Sequence, residues 1–207
     1  MRILITAGPT REYIDQVRYL SNASSGQMGF ALAEAALQAG HDVTLICGPV
    51  HIPYPAGCRL IKVERTAEML DACLREFPNC DGVIGTAAVC DYTPKFPSQG
   101  KLAKTGKPLL LELIQTPDIL AALGKVKGNR WSLGFALEAE SGHAHALVKM
   151  EEKNCDAIVL NGPGAIGSAE NSIHLIDRTG KVSLERSGTK VQLAGEIIGW
   201  IATHLAK

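Results

Sequence analysis

Short runs of Ile, Val and Leu alternate along the chain with longer stretches whose apolar residues recur at helical spacing, the rhythm of parallel strands joined by crossover helices. The short runs predict strands at Arg2 to Thr6, Asp42 to Cys47, Arg59 to Val63, Gly82 to Thr86, Leu109 to Ile114, Ser132 to Leu137, Ala157 to Leu160 and Ile173 to Ile176. The helical stretches predict helices at Gly26 to Gln38, Thr66 to Glu76, Pro117 to Leu123, His143 to Asn154 and Val191 to His204. Gly40 stands where a glycine stops a helix, and Thr116-Pro117-Asp118 reads as an N-cap followed by proline at the first helical position. The expectation is an α/β fold: a single Rossmann-like domain over residues 1–207, its mainly parallel sheet flanked by helices.

Two connections are longer than the usual two to about six residues of an α/β turn, namely Ala7 to Ser25 and the segment between Thr86 and Leu109. Both follow the carboxyl ends of strands, where open α/β sheets bind ligands. They are expected to meet at one crevice.

Composition narrows the partners. The 207 residues hold 21 Lys and Arg against 21 Asp and Glu, so no global field draws the chain to nucleic acid or to an anionic membrane. Anion binding has to come from local clusters. The apolar run after Met1 is too short for a signal peptide, and no stretch approaches the ~20 apolar residues of a membrane helix, which predicts a soluble cytoplasmic protein. None of the six cysteines forms a Cys-x-x-Cys pair, and they read as small buried apolar residues in a reducing compartment. His143 and His145, two apart on a helix, point about 200° away from each other and cannot share a metal.

Some segments carry candidate chemistry. Ser21 to Gly29 ends the first long loop and opens an apolar helix; free N–H groups at the helix start, with Ser24, Ser25 and Gly26 beside them, make a phosphate cradle. Alternatively, Ser24 or Ser25 only caps the helix and the glycines only permit close packing. Lys95, Lys101, Lys104 and Lys107 fall within thirteen positions in a stretch free of acids from Tyr92 through Leu111, which suits a polyphosphate or equally a solvated loop. Asp91 stands just before it. Lys149 and Lys153, four apart, share one helix face, which with Glu151 and Glu152 between them also reads as a plain solvated face. A dinucleotide fingerprint is missing, since the next glycine after Gly8 is Gly26 and the second strand runs out into Cys47-Gly48-Pro49. Gly106-Lys107 is followed by Pro108 rather than Ser or Thr, so it is no phosphate-binding kinase loop.

Taken in order, Ala7-Gly8-Pro9-Thr10-Arg11-Glu12, Ile14-Asp15, Val17-Arg18, Ser21 to Gly29, Ala87 to Tyr92, Lys101-Leu102-Ala103-Lys104, Pro117 to Leu120, Gly134 to Glu138, Lys149, Lys153-Asn154 and Asn161 resemble the phosphopantothenate–cysteine ligase family. The resemblance implies joining of 4′-phosphopantothenate to L-cysteine through an acyl-nucleotide, with CTP or ATP as co-substrate, Mg2+ beside the phosphates and pyrophosphate released, in coenzyme A synthesis. It further implies a homodimer. Because the chain begins at the first strand of the ligase domain, no flavin is expected. Cys90 departs from the alanine of many relatives and is expected to reshape the pocket slightly, and Gly164 to Ser168 lack an aromatic residue common there.

By the same resemblance Lys101 serves the first half-reaction and Asn22 the second, as the catalytic pair. Arg18, Asn22, Ala87, Ala88 and Asp91 bind the substrate. Gly85, Thr86, Ala87, Asp91, Lys101, Pro117, Asp118, Ile119, Leu120, Phe135, Lys149 and Lys153 line the nucleotide site. Two other readings of the residues stay open: an NADP-dependent oxidoreductase on the same kind of sheet, and a non-catalytic module that senses a nucleotide.

Overall fold

The computed structural model describes residues 1–137, 142–162 and 170–206. Glu138 and the segment Gly164 to Ser168 lie outside the described residues. In chain order the elements are β1 (Arg2–Ala7), β2 (Arg11–Tyr13), β3 (Tyr19–Ser21), α1 (Gln27–Gln38), β4 (Asp42–Cys47), β5 (Arg59–Lys62), α2 (Thr66–Glu76), β6 (Gly82–Gly85), β7 (Tyr92–Pro94) and β8 (Leu113–Gln115). They continue with α3 (Ile119–Lys125), β9 (Trp131–Leu137), α4 (Gly142–Glu152), β10 (Ala157–Asn161), β11 (Glu170–Asp177), β12 (Val182–Thr189) and α5 (Lys190–His204).

An eight-stranded sheet runs β12-β11-β10-β9-β6-β1-β4-β5. It is parallel from β5 through β10, and β11 and β12 close the far edge antiparallel. Alternate strand residues supply opposite faces: Ile3, Ile5, Leu45, Ile84, Leu133 and Val159 pack beneath α1 and α5, whereas Leu4, Ile46 and Val83 pack beneath α2 and α3. Ile158 and Leu160 meet α4 on that second side. Chain order proceeds from β1 outward to β4 and β5 and then returns to β6 on the other flank, so the crevice between β1 and β6 is the topological switch point.

The helix limits follow local chemistry. Gly40 takes φ +77° just after α1, with its N–H on the Leu37 carbonyl and the His41 N–H on the Ala36 carbonyl, the paired bonds of a Schellman stop. Helix α3 starts later than the proline suggested. Its N-cap is Asp118, whose Oδ1 accepts from the Ala121 N–H at 2.9 Å, so Thr116 and Pro117 lie outside the helix. The expected strand Leu109 to Ile114 shrinks to Leu113–Gln115, which pairs with β7 apart from the main sheet. Its leucines have no sheet face to cover, and Leu110 is 92% exposed. Both long connections carry small structure of their own, the β2–β3 hairpin in the first and β7 in the second. No helix of the described residues is long and apolar enough to cross a membrane.

Candidate functional site

The carboxyl ends of β1 and β6 open onto a cavity of about 900 Å³. Its floor is Thr6, Gly85 and Thr86; one wall is the Asn22 to Gly29 segment entering α1, and the other is the start of α3 with Phe135 from β9. The two long connections do converge here. Pro9 bridges to Ala88, the Ala88 N–H donates to the Gly8 carbonyl at 2.9 Å, and the Asn22 Nδ2 donates to the carbonyls of Ala88 at 3.1 Å and Val89 at 2.9 Å. Asn22 thereby joins the two loops and leaves its Oδ1 as the remaining polar atom of the amide.

Close approach of α1 depends on Gly29. A Cβ there would stand 2.5 Å from the Ala7 Cβ and 2.6 Å from the Thr86 Oγ1, the hydroxyl that donates to the Thr6 carbonyl at 2.6 Å. The helix start therefore lies directly over the strand ends. Gly26 occupies the N-cap position with φ +78° and no side-chain cap, so neither Ser24 nor Ser25 serves as the N-cap residue. Ser24 Oγ accepts from the Gly26 N–H at 3.3 Å, and Ser24, Ser25 and Gly26 all line the cavity. The Ser25 Oγ accepts from the Gln27 N–H at 3.5 Å, and the other N–H groups of a helix start with no N-cap side-chain bond, beside an open cavity, attract an anion together with the helix dipole.

Lys149 and Lys153 also line the cavity, on the face their spacing predicted. Lys153 follows the last residue of α4 and its ammonium lies 3.0 Å from the Asp118 Oδ2. The turn that carries it is fixed from below: the largely buried Lys127 donates to the Asn154 carbonyl at 2.7 Å and to the Asp156 Oδ2 at 2.9 Å. Gly124 admits this turn, since a Cβ there would fall 2.2 Å from the Lys153 carbonyl oxygen. Asp118 thus caps α3 with one oxygen and holds a lysine with the other.

Most of the expected site residues stand together. Gly85, Thr86, Ala87, Ala88, Asp91, Pro117, Asp118, Ile119, Leu120 and Phe135 line the cavity with Asn22 and the two lysines. Arg18 and Lys101 are not among its lining residues. They sit at the β2–β3 hairpin, where the Arg18 guanidinium donates to the Leu102 carbonyl at 2.7 Å. Cys90 does not line the cavity either: its buried thiol donates to the Thr10 carbonyl, and burial pushes its pKa up, so it neither reshapes the site nor offers a thiolate. That Lys149 and Lys153 share a face was legible from spacing, and that the face serves the site from the family resemblance, whereas Asn171 and Lys190, which also line the cavity, come from β11 and α5. Isolated polar residues on elements distant in sequence give no local signal. Asn171 is buried to 7% exposure with its Oδ1 unpartnered among the described residues.

Among the described residues no three His, Cys, Asp or Glu side chains converge as metal ligands. The cavity instead supplies ammonium groups, backbone N–H groups and one aromatic wall, a donor set for a phosphorylated ligand with an apolar part.

The chain is 42% identical over 190 residues to the coenzyme A biosynthesis bifunctional protein CoaBC of Vibrio cholerae, covering 88% of this chain and 48% of that protein. It is 46% identical over 167 residues to the protein of the same name from Bacillus subtilis, covering 80% of this chain and 41% of that one. The chain thus spans about half the length of the curated relatives it matches. The crystal structure of the C-terminal domain of a coenzyme A biosynthesis bifunctional protein CoaBC superposes with a TM-score of 0.84 at 38% identity, covering 99% of this chain and 96% of that one. With residues 1–205 matching its family model, the chain belongs to the DNA/pantothenate metabolism flavoprotein C-terminal domain family.

Proposed function

We propose that this chain, working as a single domain in the cytoplasm, joins 4′-phosphopantothenate to L-cysteine through an acyl-nucleotide, consuming CTP in preference to ATP. The observation that carries the reading is the cavity itself, which sets Lys149, Lys153 and an uncapped helix start against an apolar wall of Leu120 and Phe135, with Asn22 between the two loops. Relatives named for coenzyme A biosynthesis support the substrate class.

The chemistry asks for those residue types. In the first step a carboxylate oxygen attacks the α-phosphorus and pyrophosphate leaves; in the second the cysteine amine attacks the acyl carbon and the nucleoside monophosphate leaves. Each like-charge contact at about 4 Å costs about 4 kcal/mol at an effective dielectric of about 20. Lys149, Lys153 and the N–H groups at the start of α1 offset that repulsion, with no reorganisation needed when charge shifts during the step. Magnesium enters as part of the nucleotide substrate, carried by its phosphate oxygens, with Asp91 the carboxylate on the cavity wall not already paired to Lys153. Asn22 presents its Oδ1 to an N–H of the incoming cysteine amine without adding a charge.

Lys101 and Arg18 enter the reading as arm-borne cations. Lys101 would offset charge at the α-phosphate and Arg18 would hold phosphopantothenate, in the cavity of the second copy of a homodimer. The exposed apolar residues near them, Phe96, Leu109 and Leu110, fit burial against that copy.

The test measures pyrophosphate with CTP or ATP, each with and without phosphopantothenate and cysteine. Release that requires phosphopantothenate is expected, faster with CTP, and Lys101→Ala should abolish it while the circular dichroism spectrum stays unchanged. Nucleotide binding without any turnover would favour a sensing module, and tight NADPH binding without CTP binding would favour an oxidoreductase.

A further inference from the structure

Asp15 lies at the tip of the β2–β3 hairpin, outside the cavity, and is 2% exposed. A buried carboxylate needs donors, and this one has donors from two segments far apart in sequence. Its Oδ1 accepts from the N–H groups of Val17 at 2.8 Å and Arg18 at 2.7 Å, which closes the hairpin turn. Its Oδ2 faces the other way, accepting from the Leu102 N–H at 3.1 Å with the Arg18 guanidinium 3.5 Å distant. That guanidinium in turn donates to the Leu102 carbonyl at 2.7 Å. Backbone N–H donation, with Val17 first, holds the Asp15 carboxyl below its ordinary pKa.

The strap that carries Lys101 is otherwise lightly held in this region. Gln16 donates to the Gln99 carbonyl and the Ser98 N–H donates to the Ile14 carbonyl, both on the near side of Lys101. On the far side, from Ala103 through Leu111, every residue is exposed. Asp15 and Arg18 together grip the one residue next to the lysine.

We propose that Asp15 is a positioning residue, gripping the Leu102 N–H so that Lys101 and Arg18 are presented to a cavity as one rigid pair of cations. The proposal rests on the ligase reading for what those cations do. A carboxylate suits the task because one oxygen serves the hairpin while the other serves the strap and the arginine. An amide cannot: with its oxygen kept on Val17 and Arg18, its NH2 would face the Leu102 N–H and the guanidinium, donor against donor.

Asp15→Asn therefore separates the two duties, and Asp15→Ala removes both. Amide hydrogen exchange and pyrophosphate release are measured on each variant, with nucleotide affinity read by calorimetry. In Asp15→Asn the Leu102 amide should exchange at least about 10-fold faster while the Tyr19 to Ser21 strand keeps its protection. Pyrophosphate release should fall at least about 10-fold with nucleotide affinity within about twofold of wild type, because Lys149 and Lys153 are untouched. Unchanged exchange at Leu102 would overturn the grip. Faster exchange with normal release would reduce Asp15 to a hairpin brace and overturn the positioning role. A wild-type chain that exchanges as expected but never releases pyrophosphate would refute the ligase reading and the positioning role with it, and would leave the grip standing.

Discussion

Asn22 has two jobs that pull on different atoms of one amide. Its Nδ2 bonds the carbonyls of Ala88 and Val89 and so holds the loop after β6, while its Oδ1 is left for a ligand. Aspartate is nearly the same shape, but it would set a carboxylate oxygen against two carbonyl oxygens. Loss of two hydrogen bonds at about 0.5–1.5 kcal/mol each predicts that Asn22→Asp lowers stability by about 1–3 kcal/mol in urea titration. The same change places a negative charge beside an acyl-nucleotide. The adduct should still form, persist in mass spectra, and be consumed by cysteine at least about 100-fold more slowly, the scale seen when one oriented polar group is lost from a transition state. Product formed at the wild-type rate, with stability reduced, would make Asn22 a loop brace alone.

The placement of α1 governs the site at the scale of elements. Its first turn reaches the strand ends only because Gly29 has no side chain, and no flexible group is available to yield: the nearest atoms are the Ala7 Cβ and a Thr86 hydroxyl already bonded to Thr6. Gly29→Ala should cost about 1–3 kcal/mol of stability through overpacking. It should also weaken nucleotide binding in calorimetry, because the N–H groups at the helix start are pushed off the cavity; unchanged affinity would remove the helix start from the anion site. Much of this architecture was readable in advance. The strands buried on both faces form continuous apolar runs, and α2 ends where its pattern does, at Thr66 and Glu76. The misses have physical reasons. Strand β12 is almost wholly exposed and shows no apolar alternation to detect. Leu109 to Leu111 do the reverse, an apolar run that covers no sheet. At α3 the proline suggested a start two residues too early, because the Asp118 carboxylate outcompetes Thr116 as the cap. Within the site, spacing put Lys149 and Lys153 on one helix face and the family resemblance made that face part of the site, but Asn171 and Lys190 reach the cavity only through the pairing of β11 and the docking of α5.

The whole molecule poses the question that neither residues nor elements answer, since Arg18 is bonded to Leu102, the residue after Lys101, yet neither cation is among the residues lining the cavity of its own chain. The strap exposes Phe96, Leu109 and Leu110, and the β7–β8 pair beside it exposes Tyr92, Leu113 and Ile114, an apolar surface of the kind that marks a contact site. A two-fold dimer that buries this surface would use the same patch from both copies and could deliver each arm to the other's cavity. Mixing two inactive variants tests the exchange. Lys101→Ala has a damaged arm and an intact cavity; Lys153→Ala has a damaged cavity and an intact arm. If arms cross, random reassortment makes about half the dimers mixed, each with one complete site of two, so about a quarter of wild-type pyrophosphate release should return. If each arm served its own chain, every mixed dimer would combine two broken sites and no activity would return. Leu110→Lys supplies the independent check, for it places a charge in the proposed contact without touching either cation. Sedimentation should then show monomers, and release should fall with the dimer population, whereas full activity in a monomeric Leu110→Lys chain would put Lys101 and Arg18 back in service of their own cavity.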